Sequence, residues 1–201
     1  MNYHLNNIPE RTQKPRTEGY TMVLDKGLSF REVEYLLESS DSYIDIVKLG
    51  WATSYVYPKL KEKLALYKEA NIPCYFGGTL FEAFIIRDQF EDYRKIIDEF
   101  DLSYAEVSDG SIVMDHDKKC EYIKILSDQV TVLSEVGSKD AAKIIPPYKW
   151  IEQMETELQA GAWKVIGEAR ESGNVGLFRD SGVVRQGLEE EILTQITSEK
   201  I

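Results

Sequence analysis

The chain has 201 residues, 43% hydrophobic and 29% charged, with a formal net charge of −11. That composition supports one packed domain, and its acidity works against nucleic-acid and anionic-membrane partners, whose phosphates such a surface repels. Two cysteines (Cys74, Cys120) and two histidines (His4, His116) are too few for a disulfide framework, a zinc site or a Ser-His-Asp triad, and without an apolar leader or membrane-length run the sequence reads as cytoplasmic.

After an N-terminal extension over residues 1–19, short apolar runs alternate with longer amphipathic stretches. The first runs are YTMVL (20–24) and IDIVKL (44–49), rich in β-branched and aromatic residues and read as strands. Leu60, Leu64 and Tyr67 then recur at helical spacing before a third strand, IPCYF (72–76). Residues 79–100 are long enough for two helical pieces, broken near Asp88. The fourth and fifth strands are YAEV (104–107) and VTVL (130–133). Ile151, Met154 and Leu158 mark a helix closed by Gly161, and WKVI (163–166) is the sixth strand.

Six strand-then-helix units imply a parallel sheet with right-handed crossovers. A doubly wound sheet and a (β/α)₈ TIM-type barrel compete. No G-x-G-x-x-G or G-x-x-x-x-G-K-[ST] follows any strand, and polar residues cluster after every strand, not at one switch point. The barrel is the better match. A full barrel usually takes about 250 residues, so the expectation is a single barrel domain over 1–201 without strands seven and eight, with Ser198-Glu199-Lys200-Ile201 entering strand seven.

The strand ends carry the chemistry. Asp25-Lys26-Gly27 follows strand one, and Lys48 leads into Gly50-Trp51 after strand two. Gly77-Gly78-Thr79 follows strand three; Glu106 and Ser108-Asp109-Gly110 follow strand four. Strand five carries Glu135 into Gly137 and Lys139, and strand six carries Glu168 into Arg170-Glu171-Ser172-Gly173. In a barrel all these ends open on one face. Lys26, Lys48, Lys139 and Arg170 would form a cationic cup for a small multiply charged anion. Asp25, Glu106, Glu135 and Glu168 are hard oxygen donors suited to Mg²⁺, and the glycine turns at Gly77-Gly78 and Gly173 offer backbone N–H groups to phosphate. Trp51 and Trp163 read as packing residues, Cys74 as a core residue, and His116 as a loop or surface residue.

The segments TMVLDKGL (21–28), YIDIVKLGWATS (43–54), YFGGTLFE (75–82), AEVSDGS (105–111), VLSEVGSKD (132–140) and KVIGEARESG (164–173) resemble the phosphosulfolactate synthases, in order and spacing. The resemblance implies a Mg²⁺-dependent (β/α)₈ lyase that adds sulfite to phosphoenolpyruvate, on a route toward coenzyme M or free sulfolactate. It implies Lys139 as general acid, Lys26, Lys48 and Arg170 as holders of the phosphate, carboxylate and sulfite charges, and Glu106, Glu135 and Glu168 for the metal or its waters. Taken with the strand-end reading, the expected site has Lys139, Glu135 and Lys48 as catalytic residues, Lys26, Gly77, Gly78, Thr79, Ser108, Asp109, Arg170, Ser172 and Gly173 for the substrates, and Asp25, Glu106 and Glu168 for the metal. The rivals are a barrel lyase or aldolase acting on another small phosphorylated acid and a non-catalytic, stress-related relative. Whether the chain forms a homo-oligomer is left open.

Overall fold

Each of the six apolar runs nucleates a strand. In this computed structural model, which describes residues 4–140, 144–169 and 172–201, the strands are β1 (Met22–Asp25), β2 (Ile46–Leu49), β3 (Cys74–Phe76), β4 (Tyr104–Val107), β5 (Thr131–Val136) and β6 (Lys164–Gly167). The helices are α1 (Phe30–Ser40), α2 (Thr53–Val56), α3 (Leu60–Glu69), α4 (Gly78–Ile85), α5 (Phe90–Glu99), α6 (His116–Ser127), α7 (Pro147–Gln159) and α8 (Gln186–Leu193). Local chemistry sets several boundaries. Ser29 and Glu32 form a reciprocal capping box at the start of α1. Asp88, in the left-handed region at φ 55°, separates α4 from α5 where the break was expected.

The strands pair in parallel as β1-β2-β3 and β4-β5-β6, in chain order. No strand order reverses among the described residues, so the doubly wound alternative has no switch point to stand on. The two sheets share an interior, because the Lys48 ammonium on β2 reaches Glu135 on β5 at 3.3 Å. In a flat sheet those strands would lie about 14 Å apart, three spacings of ~4.8 Å. The fold is therefore α/β, with curled parallel strands and helices outside them; a closed eight-stranded barrel is not formed by the described residues.

Period-two alternation assigns the faces. Val47 and Leu49, Cys74 and Phe76, and Ala105 and Val107 point outward into the main core beneath the helices. Ile46, Tyr75, Leu133 and Ile166 point inward. The N-terminal end of the interior is plugged by rings: Trp163 packs edge-on against Tyr20 at 5.3 Å and tilted against Tyr104 at 5.8 Å. Lys164 lies over both Tyr20 and Trp163. At the other end the same inward parity delivers Lys48, Glu106, Glu135 and Glu168, so the interior runs from aromatic through aliphatic to charged.

Two expectations change. β5 extends past the VTVL run through Val136, because Ser134 and Glu135, although polar, are buried with partners. The expected entry into strand seven is instead a short 3-10 helix, Ser198–Lys200. Its polar residues lack the apolar alternation of a strand, and the Lys164 ammonium donates to the Glu199 carbonyl and pins it. The N-terminal extension is also tied down: the buried Arg16 guanidinium sits 2.5 Å from Asp45, whose second oxygen accepts the Thr21 N–H. No helix among the described residues is long and apolar enough to cross a membrane.

Candidate active site

Lys48 stands at the centre of the charged end of the interior. Its ammonium is 2.7 Å from Glu106 and 3.3 Å from Glu135. Two glycines make that approach possible. A Cβ at Gly77 would lie 2.9 Å from Lys48 Cε, and one at Gly78 would lie 2.4 Å from Ser108 Cβ and 2.7 Å from Glu106 Oε1. The GG pair therefore lets β2 and β4 close around the start of α4. The Gly78 amide donates to Glu106 at 2.7 Å and the Gly77 amide to the Leu49 carbonyl at 3.0 Å. Both amides are thus engaged inside the fold, whereas the sequence suggested them for phosphate.

The second lysine, Lys139, lies just beyond β5 and is partly open to solvent. Its ammonium is 3.1 Å from Glu135, 3.6 Å from Glu168 and 3.8 Å from Glu82. Ser108, fully buried, lies between these groups, its hydroxyl 2.6 Å from Glu82 and 3.0 Å from Glu135. Burial alone would raise the Glu135 carboxyl, but Lys48 and Lys139 outweigh it and hold it down to about 2. Burial would likewise lower both lysines; instead Glu106 and Glu135 push Lys48 up, and Glu135, Glu82 and Glu168 push Lys139 up. Glu106 goes the other way: it is fully buried and its carboxyl is raised by that burial against the pull of Lys48.

Among the described residues, four carboxyl groups (Glu82, Glu106, Glu135, Glu168) lie around the two lysines. Glu106 Oε2 is buried without a hydrogen-bond partner of normal geometry among the described residues, although the Tyr75 phenol is close enough for burial and then the Glu106 charge to push it well upward. An orphaned carboxylate oxygen in an acidic cluster fits a hard cation. No described group of three or more Asp, Glu, His or Cys forms a ready-made metal cage, but Mg²⁺ needs only one or two carboxylates when waters and substrate oxygens complete its shell.

The expected residues divide by position. Lys48, Glu106, Ser108, Glu135, Lys139 and Glu168 converge. Asp25 does not: it shares the outward parity of Val23, and its oxygens accept from Lys63 at 2.6 Å, the Tyr67 hydroxyl at 3.0 Å and the amides of Gly27 and Leu28. It is a fully buried structural anion held by α3. Lys26 is exposed at the rim, 5.6 Å over the Trp51 ring. Trp51, expected to pack, is 54% exposed in a left-handed turn with Ala52, at φ 53° and 55°. Thr79 is half-buried in the first turn of α4. Asp109 turns away from the interior to pair with Lys119 at 2.9 Å. Ser172 bonds Asn174 on the surface, and Gly173 at φ 60° has open space around it. Arg170 lies outside the described residues.

The model of the family described as (2R)-phospho-3-sulfolactate synthase (ComA) matches residues 9–201. The phosphosulfolactate synthase of Bacillus subtilis is 39% identical over 189 residues, covering 93% of this chain and 75% of the relative. The Methanothermobacter thermautotrophicus enzyme of that name is 36% identical over 184 residues, covering 89% and 71%. The chain belongs to the phosphosulfolactate synthase family. Among solved structures, 3-hexulose-6-phosphate synthase of Salmonella typhimurium superimposes with a TM-score of 0.56 at 11% identity, over 87% of this chain and 73% of that one. That likeness speaks to the TIM-like fold alone.

Sequence reasoning missed Glu82, which this family member buries in α4 beside Ser108 and Lys139. A signal was present: a lone carboxylate in the apolar stretch TLFEAFI has to meet a partner when the helix packs. The Gly78 packing generates a direct test. Gly78→Ala is expected to cost ~1–3 kcal/mol as an overpacked substitution, read as a lower urea midpoint; an unchanged midpoint would contradict the close approach of α4 to Ser108.

Proposed function

We propose that this chain adds sulfite to C3 of phosphoenolpyruvate to give phosphosulfolactate, with Mg²⁺ assistance and Lys139 as proton donor. The observation that carries this reading is the position of Lys139: a charged ammonium among Glu135, Glu168 and Glu82, at the open end of the strand interior. Family membership supplies the reaction class, and the residues supply a way to perform it.

The sulfur lone pair of sulfite forms the S–C3 bond without help from a protein nucleophile, so the site needs no Ser-His or Cys-His pair. As that bond forms, the C2–C3 π electrons move toward C2 and the carboxylate. Lys48, Lys26 and Arg170 would hold the phosphate, carboxylate and sulfite charges. Lys139 then gives its proton to C2, forming C2–H while its own N–H breaks, and water restores the ammonium. Glu135, ionised by its two lysine neighbours, keeps both ammonium groups charged and oriented. Glu106 and Glu168 would hold Mg²⁺, which when bound supplies charge to stabilise the electron-rich carboxylate.

The aldolase alternative needs a neutral lysine to form a Schiff base. Lys48 and Lys139 are both pushed up by their carboxylates, which counts against it. A non-catalytic role accounts for the Lys48 bridge between the two sheets but gives no purpose to the partly open Lys139 among three carboxylates.

Lys139→Met is expected to lower kcat by about 10² to 10⁴, the usual range for general acid catalysis, with KM for both substrates changed far less; near-wild-type kcat would end the proton-donor assignment. Stripping with EDTA and desalting should abolish turnover, with Mg²⁺ restoring it. Full turnover by the stripped enzyme would remove the ion from the mechanism.

A further inference from the structure

Behind the site, on the outward side of β5, lies a second buried ionic group that the reaction above does not use. Lys119 of α6 is 1% exposed. Its ammonium donates to Asp109 Oδ1 at 2.9 Å and to the Glu135 carbonyl at 2.6 Å, and pairs with Glu157 Oε1 at 2.9 Å. Three oxygens thus surround an ammonium that has three N–H groups to offer. Glu157, on α7, is in turn held by the Ser134 hydroxyl at 2.5 Å and by His116 at 3.2 Å.

The three oxygens belong to three different elements, and two of them adjoin the site. Asp109 lies in the loop after β4, next to Ser108, which bonds Glu82 and Glu135. The Glu135 carbonyl is the main chain of the residue whose carboxylate pairs with Lys48 and Lys139. The same loop touches Lys139: the Gly110 carbonyl accepts the Lys139 N–H at 3.1 Å, and a Cβ at Gly110 would stand 3.3 Å from Lys139 Cγ and Cδ. A buried ion group is seldom more stabilising than apolar packing of the same volume, so stability alone is a weak reason to place a lysine here.

We infer that Lys119 and Asp109 form a positioning device, which locks the loop after β4 to β5 and so fixes Lys139 over Glu135. Asp109 then acts on Lys139 through the loop and does not touch substrate. The catalytic part of this inference rests on the proton-donor role of Lys139; the positioning part can be read without it.

Asp109→Ala removes the loop's tie while leaving the Lys119–Glu157 pair in place. Amide hydrogen exchange on the full chain is the first measurement. Protection at the Lys139 amide should fall at least about tenfold as the loop opens locally, and Asp109→Asn, whose amide oxygen still accepts from Lys119, should restore most of it. Unchanged Lys139 protection in Asp109→Ala would overturn the positioning, whatever reaction the enzyme performs. Steady-state kinetics with phosphoenolpyruvate, sulfite and Mg²⁺ is the second. A misplacement of about 1 Å can cost about 10²-fold, so kcat should fall ~10–100-fold in Asp109→Ala with KM nearly constant, recover in Asp109→Asn, and fall no further when Asp109→Ala is added to Lys139→Met. A raised KM with constant kcat would make Asp109 a substrate ligand, and losses that multiply in the double variant would show that it does not act through Lys139; either overturns the inference. No turnover by the wild-type enzyme would count against the reaction, and the exchange result would still decide the positioning.

Discussion

The ion group around Lys48 is the constraint on which the rest of the interior depends. One ammonium bridges Glu106 of β4 and Glu135 of β5 from its place on β2, so a single side chain spans both three-stranded sheets. Such a group tolerates no missing member, because removing one partner of a buried pair costs about 3–5 kcal/mol. The chain meets that demand with geometry. Gly77 and Gly78 remove the side chains that would keep Lys48 and Glu106 apart, and the Gly78 amide adds a further donor to Glu106.

Charged residues are buried on both sides of the strands, with different consequences. On the outward side the anions are fully paired: Asp25 with Lys63 and Tyr67, Glu157 with Lys119 and Ser134. Those groups join helices to strands. On the inward side, among the described residues, the carboxyl groups outnumber the lysines, and one oxygen of Glu106 has no hydrogen-bond partner of normal geometry. Excess negative charge in a partly closed space is costly unless a cation joins it, and a cation in turn draws anions. The imbalance is what separates a site from a scaffold here.

Strand positions and the break at Asp88 were legible because each depends on local pattern: a short β-rich run, or an interruption in helical spacing. Lys48, Glu106, Glu135 and Glu168 were legible as strand-end residues of inward parity. Asp25 carries the same signature of an acid at a strand end and fails only on parity, since Val23 and Asp25 face the helices. Nothing in the residues around it states which parity is inward until the sheets are assembled. Lys63 and Lys119 were missed because lysines on amphipathic helices are usually solvated. Lys63 did fall on the stripe of Leu60 and Tyr67, where a charge has to find a buried partner. The 3-10 turn at Ser198–Lys200 was read as a strand on fold expectation alone, against its own polar composition.

Proton delivery to one face of C2 is the step that ties Lys139 to the chemistry, and deuterium labelling reads it directly. The wild-type enzyme would be run in D₂O with phosphoenolpyruvate, sulfite and Mg²⁺, and the product examined by mass spectrometry and NMR. The expected result is phosphosulfolactate carrying one deuterium, at C2, in a single configuration. Product with both configurations at C2 would contradict delivery by a fixed lysine, and the absence of any sulfonated product would contradict the reaction itself.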